Sequence, residues 1–360
     1  MIKNLEELFE VSPFSLCKKE KEIALTNLLK DLSMKHKKNC KEYNAFLHNC
    51  EIDIATIESY YNLPMLPVQL FKKYELCSVP KEEVLKTMTS SGTSGQQVSK
   101  IYLDKITSVN QTKTLVKITS DFLGKKRLPM LIIDTKGVIK NRRLFSARGA
   151  GILGFSMLGY DVTYALDEDM KLDFKTIEMF LKKHKGETIF IFGFTYIIWE
   201  HFYKELKRAK KNLDLSNGIL LHGGGFKKLS EEAIDNEMYK VKIKEVCGVH
   251  NIYNYYGMVE QTGSIYMECE CGHIHASNFS DIIIRNPKDF SVCSIGERGI
   301  IQVVTVLANS YPGHSILTED VGEIIGEDDC PCGRKGKYFK IYGRILNAEI
   351  RGCSDTYEKH

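Results

Sequence analysis

The sequence has no long apolar run. Its longest, Ile189 to Trp199, is about 11 residues and is interrupted by Gly193 and Thr195, against roughly 18 or more for a membrane-spanning helix. Net charge is also small. Fifty basic and 46 acidic side chains leave +4, a balance that argues against nucleic acid as the main partner. The densest basic stretch, Lys125 to Arg143, is broken by the apolar Leu128 to Ile133 and reads as solvated flanks around a strand. Eight prolines and 27 glycines exclude collagen-like and proline-rich chains. Met1 to Leu16 carries Glu6, Glu7 and Glu10 where a signal peptide would be basic and then apolar, so the expectation is a cytoplasmic protein.

What is present is an ordinary globular composition with many thiols. Hydrophobic residues make up 43% and charged residues 27%, enough to build a sizeable core over 360 residues and about two domains. Eleven cysteines in a reducing compartment point to metal or catalysis before disulfides. Two sets are clustered: Cys269-Glu270-Cys271-Gly272-His273-Ile274-His275 and Cys330-Pro331-Cys332-Gly333. Soft ligands at two glycine turns suit a tetrahedral Zn²⁺ site. Four of Cys269, Cys271, His275, Cys330 and Cys332 would be its ligands, with Cys269 and Cys271 as alternatives. Cys353 stands alone near the end.

Along the chain, Leu25, Leu28, Leu29 and Leu32 recur at helix spacing, and residues 1–62 read as a helical region. Leu63-Pro64-Met65-Leu66-Pro67 breaks into an extended stretch. Residues 63–263 read as an α/β core. Apolar runs at Leu128 to Ile133, Ile189 to Phe194 and Ile219 to Leu221 alternate with helical stretches at Phe174 to Lys185 and Tyr196 to Lys211. That pattern predicts mostly parallel sheet covered by helices. Residues 264–343 read as an antiparallel β region, and residues 344–360 as a short tail.

Five segments carry chemistry. Ser90-Ser91-Gly92-Thr93-Ser94-Gly95, with Lys100 one strand later, offers hydroxyls and backbone amides to phosphate oxygens. His222-Gly223-Gly224-Gly225 follows an apolar strand and lets a flat ring lie against bare backbone. Tyr255-Tyr256-Gly257-Met258-Val259-Glu260 places a carboxylate, a Mg²⁺ ligand type, just after an aromatic strand. Thr318-Glu319-Asp320 puts adjacent carboxylates before an expected turn, suited to ribose hydroxyls. Gly343-Arg344 supplies a guanidinium for phosphate or ribose.

These five, in this order, resemble the adenylate-forming superfamily. With Leu63 to Val68, Ser146-Ala147-Arg148-Gly149-Ala150-Gly151 and Arg351-Gly352-Cys353-Ser354, the chain resembles more narrowly the LuxE-family acyl-protein synthetases. It is similar, less closely, to phenylacetate–CoA ligases. The resemblance implies an α/β fold of the adenylate-forming N-terminal-domain type, and ATP held by Ser90 to Gly95, Lys100, Gly223 to Gly225, Tyr255, Tyr256, Gly257 and Asp320. Glu260 would bind Mg²⁺, and Arg344 would contact ribose or phosphate. The implied reaction joins a carboxylic acid, of fatty-acid type, to AMP with release of pyrophosphate. The acyl group would then pass to Cys353, whose thiolate Arg351 would favour, and on to an acyl-reductase-like protein. Only 16 residues follow Arg344, and Asn347 stands where superfamily members carry their hinge residue, so the large lid and its lysine are not expected. An apolar slot for the acid is expected from Phe145, Gly149 to Phe155 and Phe192 to Tyr196. Two alternatives remain: an acid–CoA ligase, and a non-catalytic zinc-stabilised nucleotide-binding module.

Overall fold

A computed structural model describes residues 2–90, 97–139, 147–225 and 234–345. The chain divides into two compact units. One comprises Met1–Ser90, Gln97–Thr119 and Gly257–Glu349; the other comprises Ser91–Gln96, Ser120–Tyr256 and Ile350–His360.

The second unit contains the alternating segments. Its strands run in the order Gly159–Leu166, Leu128–Thr135, Ile189–Phe194, Gly218–Gly223, Asn251–Tyr256, each parallel to its neighbour. The central strands read as unbroken apolar runs because both faces are covered: Leu131, Ile133, Ile191 and Leu220 are buried with Ile177, Phe180, Tyr239 and Ile243 from the helices. Those helices start where an aspartate can accept from exposed amides. Asp173 takes the Thr176 N–H at 3.0 Å before Phe174–Lys183, and Asp235 takes that of Met238 at 2.7 Å before Asn236–Cys247.

Two local readings change. The stretch Tyr196 to Lys211 is not one helix. It begins as Thr195–Ile198, widens into a π-helical turn at Trp199–Tyr203, and resumes at Lys204–Ala209. Lys210, at φ 50, then ends it. The edge strand Gly159–Leu166 was not anticipated, because it is half exposed and carries Asp161 at φ 47, a break in its alternation.

The first unit holds the β-rich region. Antiparallel neighbours run in the order Ser280–Arg285, Arg298–Thr305, Ser315–Glu327, Lys337–Arg344, Ile274–His275, Tyr266–Glu268. Leu66–Pro67 adds in parallel to Ser315–Glu327. The hairpin Lys86–Thr89 and Lys100–Leu103 stands apart as a two-stranded pair. The leucine-patterned N-terminal segment is the helix Lys18–Asn39, with Leu25 and Leu29 fully buried.

That helix is tied to the sheet by charge. Asp281 receives Lys21 at 3.5 Å, Lys337 at 3.2 Å and the Tyr60 hydroxyl at 2.5 Å, all four residues being buried. A buried carboxylate is tolerable only when so fully paired. Thr318-Glu319-Asp320 does not precede a turn but lies inside the 13-residue strand Ser315–Glu327. The strand continues through Gly322, where a side chain would meet the Lys340 carbonyl at 2.8 Å. No described helix is long and apolar enough to cross a membrane.

Candidate active site and metal centre

In the first unit, two turns bring the clustered cysteines together. At Cys269 the chain doubles back: the Gly272 amide donates to the Cys269 carbonyl at 2.9 Å, and the Cys269 amide to the His273 carbonyl at 2.8 Å. Cys330 makes a matching turn, accepting from the Gly333 amide at 3.0 Å. Gly272 and Gly333 sit at φ 77 and 82, which only glycine adopts cheaply. Pairing of His275 with Tyr338 then sets the two segments side by side.

One ligand atom each from Cys269, His275, Cys330 and Cys332 lies within 4.8 Å of the others. Cys269 Sγ is 3.9 Å from Cys330 Sγ, and Cys332 Sγ is 3.5 Å from His275 Nε2. Cys271 is exposed and outside this group. His273, absent from the expected set, places Nδ1 3.2 Å from Cys330 Sγ and stacks on Tyr338. Its position two residues before His275 in an extended segment was the available signal, since such residues share a face. Burial raises the Cys269 thiol to about 11 and pushes Cys330 up as well; burial also lowers His275 to about 4. Three sulfurs and one neutral imidazole, largely buried, match the donor set and number of a tetrahedral zinc site.

The same unit carries part of the expected nucleotide site. Ser90, the residue after the strand Lys86–Thr89, is locked to Ser99: its amide donates to the Ser99 carbonyl at 3.1 Å, and its hydroxyl accepts the Ser99 amide at 2.9 Å. Lys100 is exposed on the partner strand, opposite Thr89. Ser91 to Gly95 lie outside the described residues. Gly257 is exposed. Glu260 sits on the short turn Val259–Gln261, 3% exposed, and its Oε1 has no hydrogen-bond partner among the described residues. An orphaned buried carboxylate oxygen is costly alone and suits a cation.

Asp320 and Arg344 are brought together by strand register, directly opposite one another on neighbouring strands. Arg344 Nε stands 3.6 Å from Asp320 Oδ1, with both side chains partly open to solvent. Such a pair adds little stability, yet it presents an acceptor and a fork of donors side by side.

In the second unit, ligand-bearing edges are the carboxyl ends of parallel strands. Gly223 ends its strand there, level with Tyr255 on the next. A side chain at 223 would come within 2.6 Å of the Tyr255 ring and 2.8 Å of its carbonyl, so the tyrosine lies flush on bare backbone. Gly224 and Gly225 follow with φ 91 and 64. Tyr255 and Tyr256 are half-buried.

The expected apolar slot residues also meet in this unit. Phe155 and Phe192 have ring centroids 4.4 Å apart, Phe155 lies 5.2 Å from Tyr255, and Gly151 leaves room for the Phe194 ring. Arg148 grips Asp134 through two hydrogen bonds, from Nε at 2.7 Å and from Nη2, both residues being buried. This fixes the start of the helix Ala147–Ser156 against the end of the strand Leu128–Thr135. Phe145, Arg351 and Cys353 lie outside the described residues.

A family model described as "Acyl-protein synthetase, LuxE" matches residues 2–360. Two proteins named long-chain-fatty-acid–luciferin-component ligase are similar over nearly the whole length. That of Vibrio harveyi is 21% identical, covering 96% of this chain and 90% of its own. That of Aliivibrio fischeri is 22% identical, covering 96% and 91%. Among solved structures, a 2-hydroxyisobutyryl-CoA ligase in complex with 2-HIB-AMP superposes with a TM-score of 0.69 at 14% identity. The match covers 92% of this chain and 69% of that one, a likeness of fold.

Proposed function

The chain belongs to the LuxE acyl-protein synthetase family, and from that premise we propose that it activates a carboxylic acid, a fatty acid by preference, as acyl-AMP at the expense of ATP. The observation that carries this reading is the whole-length family match joined to Glu260, Asp320 and Arg344, each held in one unit with an ATP-binding chemistry to offer. The first half-reaction brings a carboxylate oxygen onto the α-phosphorus of ATP and expels pyrophosphate. Two anions must meet, so screening of charge is the main task.

In this reading the Ser90 to Gly95 segment and Lys100 hold the pyrophosphate end, and Gly223 to Gly225, with Tyr255 and Tyr256, frame the adenine; Gly257 belongs to the same ATP site. Asp320 accepts from the ribose hydroxyls, while Arg344 faces ribose or phosphate oxygens. Glu260 would hold Mg²⁺, which when bound neutralises phosphate charge. Cys269, His275, Cys330 and Cys332 would hold Zn²⁺ as a structural clamp between their two turns. We place the reaction in the cytoplasm, where a thiol such as Cys353 stays reduced.

The second half-reaction is attack of the Cys353 thiolate on the acyl carbonyl, forming a thioester and releasing AMP. A nucleophile of an acceptor protein, of acyl-reductase type, then takes the acyl group and returns the thiol. The test is incubation with radiolabelled fatty acid and ATP, followed by hydroxylamine. The expected result is a hydroxylamine-labile label on the wild-type chain and none on Cys353→Ser, which still forms acyl-AMP. Label retained on Cys353→Ser overturns the thioester assignment. Acyl transfer to coenzyme A by Cys353→Ser at the wild-type rate would favour an acid–CoA ligase instead.

A further inference from the structure

The turn that carries Glu260 is held far more tightly than a three-residue turn requires. The Tyr311 hydroxyl donates to the Glu260 carbonyl at 2.9 Å. The next residue, Gln261, is tied to the same segment and to a strand: its Nε2 donates to the Gly313 carbonyl at 2.8 Å and the Val303 carbonyl at 3.1 Å. Tyr311, Glu260 and Gln261 are all buried. Two glycines make the clamp close. A side chain on Gly313 would strike the Tyr311 ring at 2.1 Å and the Glu260 carbonyl at 2.9 Å, and one on Gly263 would strike the Gln111 backbone at 2.7 Å. The main chain at Glu260 and Gln261 is therefore tied at two successive residues, while the Glu260 Oε1 is left buried without a hydrogen-bond partner among the described residues.

A free carboxylate oxygen on a rigid mount is what a cation ligand needs. Holding a charged ligand in one place before the cation arrives lowers the ordering cost of binding. We propose that Tyr311 and Gln261 are positioning residues for Glu260, aiming its carboxylate at the divalent cation that accompanies ATP. Neither touches substrate; they act through the Glu260 backbone. The inference rests on the reading of Glu260 as the Mg²⁺ carboxylate.

Tyr311→Phe keeps the ring and its packing and removes one hydroxyl; Gln261→Leu removes both amide contacts. Binding of ATP to the full chain is titrated by calorimetry across a range of Mg²⁺ concentrations, with near-ultraviolet circular dichroism and thermal melts as folding controls. Wild type should show Mg²⁺-dependent ATP binding, and Glu260→Gln should lose most of that dependence. Tyr311→Phe should raise the half-saturating Mg²⁺ about fivefold to tenfold while leaving ATP affinity at saturating Mg²⁺ within about twofold. In the Glu260→Gln background Tyr311→Phe should add nothing, a coupling that a merely structural role does not produce. If Glu260→Gln keeps the wild-type Mg²⁺ dependence, the reading of Glu260 fails and this proposal with it. If Glu260→Gln behaves as expected but folded Tyr311→Phe and Gln261→Leu match wild type, the positioning proposal alone is overturned.

Discussion

Stripping the chain with a chelator and titrating zinc back should release about three protons per ion at pH 7.5. The number follows from the four donors. Burial holds the Cys269 thiol near 11 and raises Cys330 as well, so the metal-free centre is short of thiolate. Each sulfur that coordinates must shed its proton, because thiolate is the ligand form. His275, lowered to about 4, is already neutral and adds none. Raising the pH removes competing protons, so zinc binds more tightly. With three protons displaced, affinity should rise by up to about a thousandfold between pH 6.5 and 7.5, or about 4 kcal/mol. The assay is calorimetry in two buffers of different ionisation heat, with a chromophoric chelator as competitor. Cys332→Ser should lower the count to about two, and Cys271→Ser, altering an exposed thiol outside the group, should leave it at about three. A count near zero, or loss of binding in Cys271→Ser but not in Cys332→Ser, would refute the ligand assignment.

Gly223→Ala should destabilise its unit by about 1–3 kcal/mol, since the new methyl group meets the Tyr255 ring at 2.6 Å and its carbonyl at 2.8 Å. It should also weaken ATP binding in the same titration, whereas unchanged affinity would remove Gly223 from the adenine site. Acid should destabilise the fold through His36, which burial holds at about 3 while it donates to the Ala308 carbonyl and pairs with Ser78. An unfolded histidine titrates near 6.5. The contribution is therefore whole above that value and is lost as pH falls towards 3, about 2 kcal/mol between pH 8 and 5. Urea unfolding of His36→Gln should show a correspondingly flatter pH dependence, and an unchanged slope would contradict the assignment.

Much of the fold was legible because the parallel strands are buried on both faces, so Leu128 to Ile133 and Ile189 to Phe194 announce themselves as apolar runs. The edge strand Gly159–Leu166 was not, since solvent on one side removes that signal. Thr318-Glu319-Asp320 reads as leading into a turn at Gly322. It is strand because Thr318 donates to the Ile301 carbonyl and Asp320 pairs with Arg344 by register, neither of which is local. The metal group was readable from spacing, but the choice between Cys269 and Cys271 depends on which sulfur the turn faces inward. The clamp on Glu260 was invisible, because Tyr311 lies 51 residues away in sequence.

Adenylation itself is read by acid-dependent exchange of labelled pyrophosphate into ATP. A panel of straight-chain acids from short to long should give exchange that requires both Mg²⁺ and a fatty acid, and that persists in Cys353→Ser. A folded, ATP-binding chain that exchanges no pyrophosphate with any acid of the panel would rule out acyl-adenylate formation.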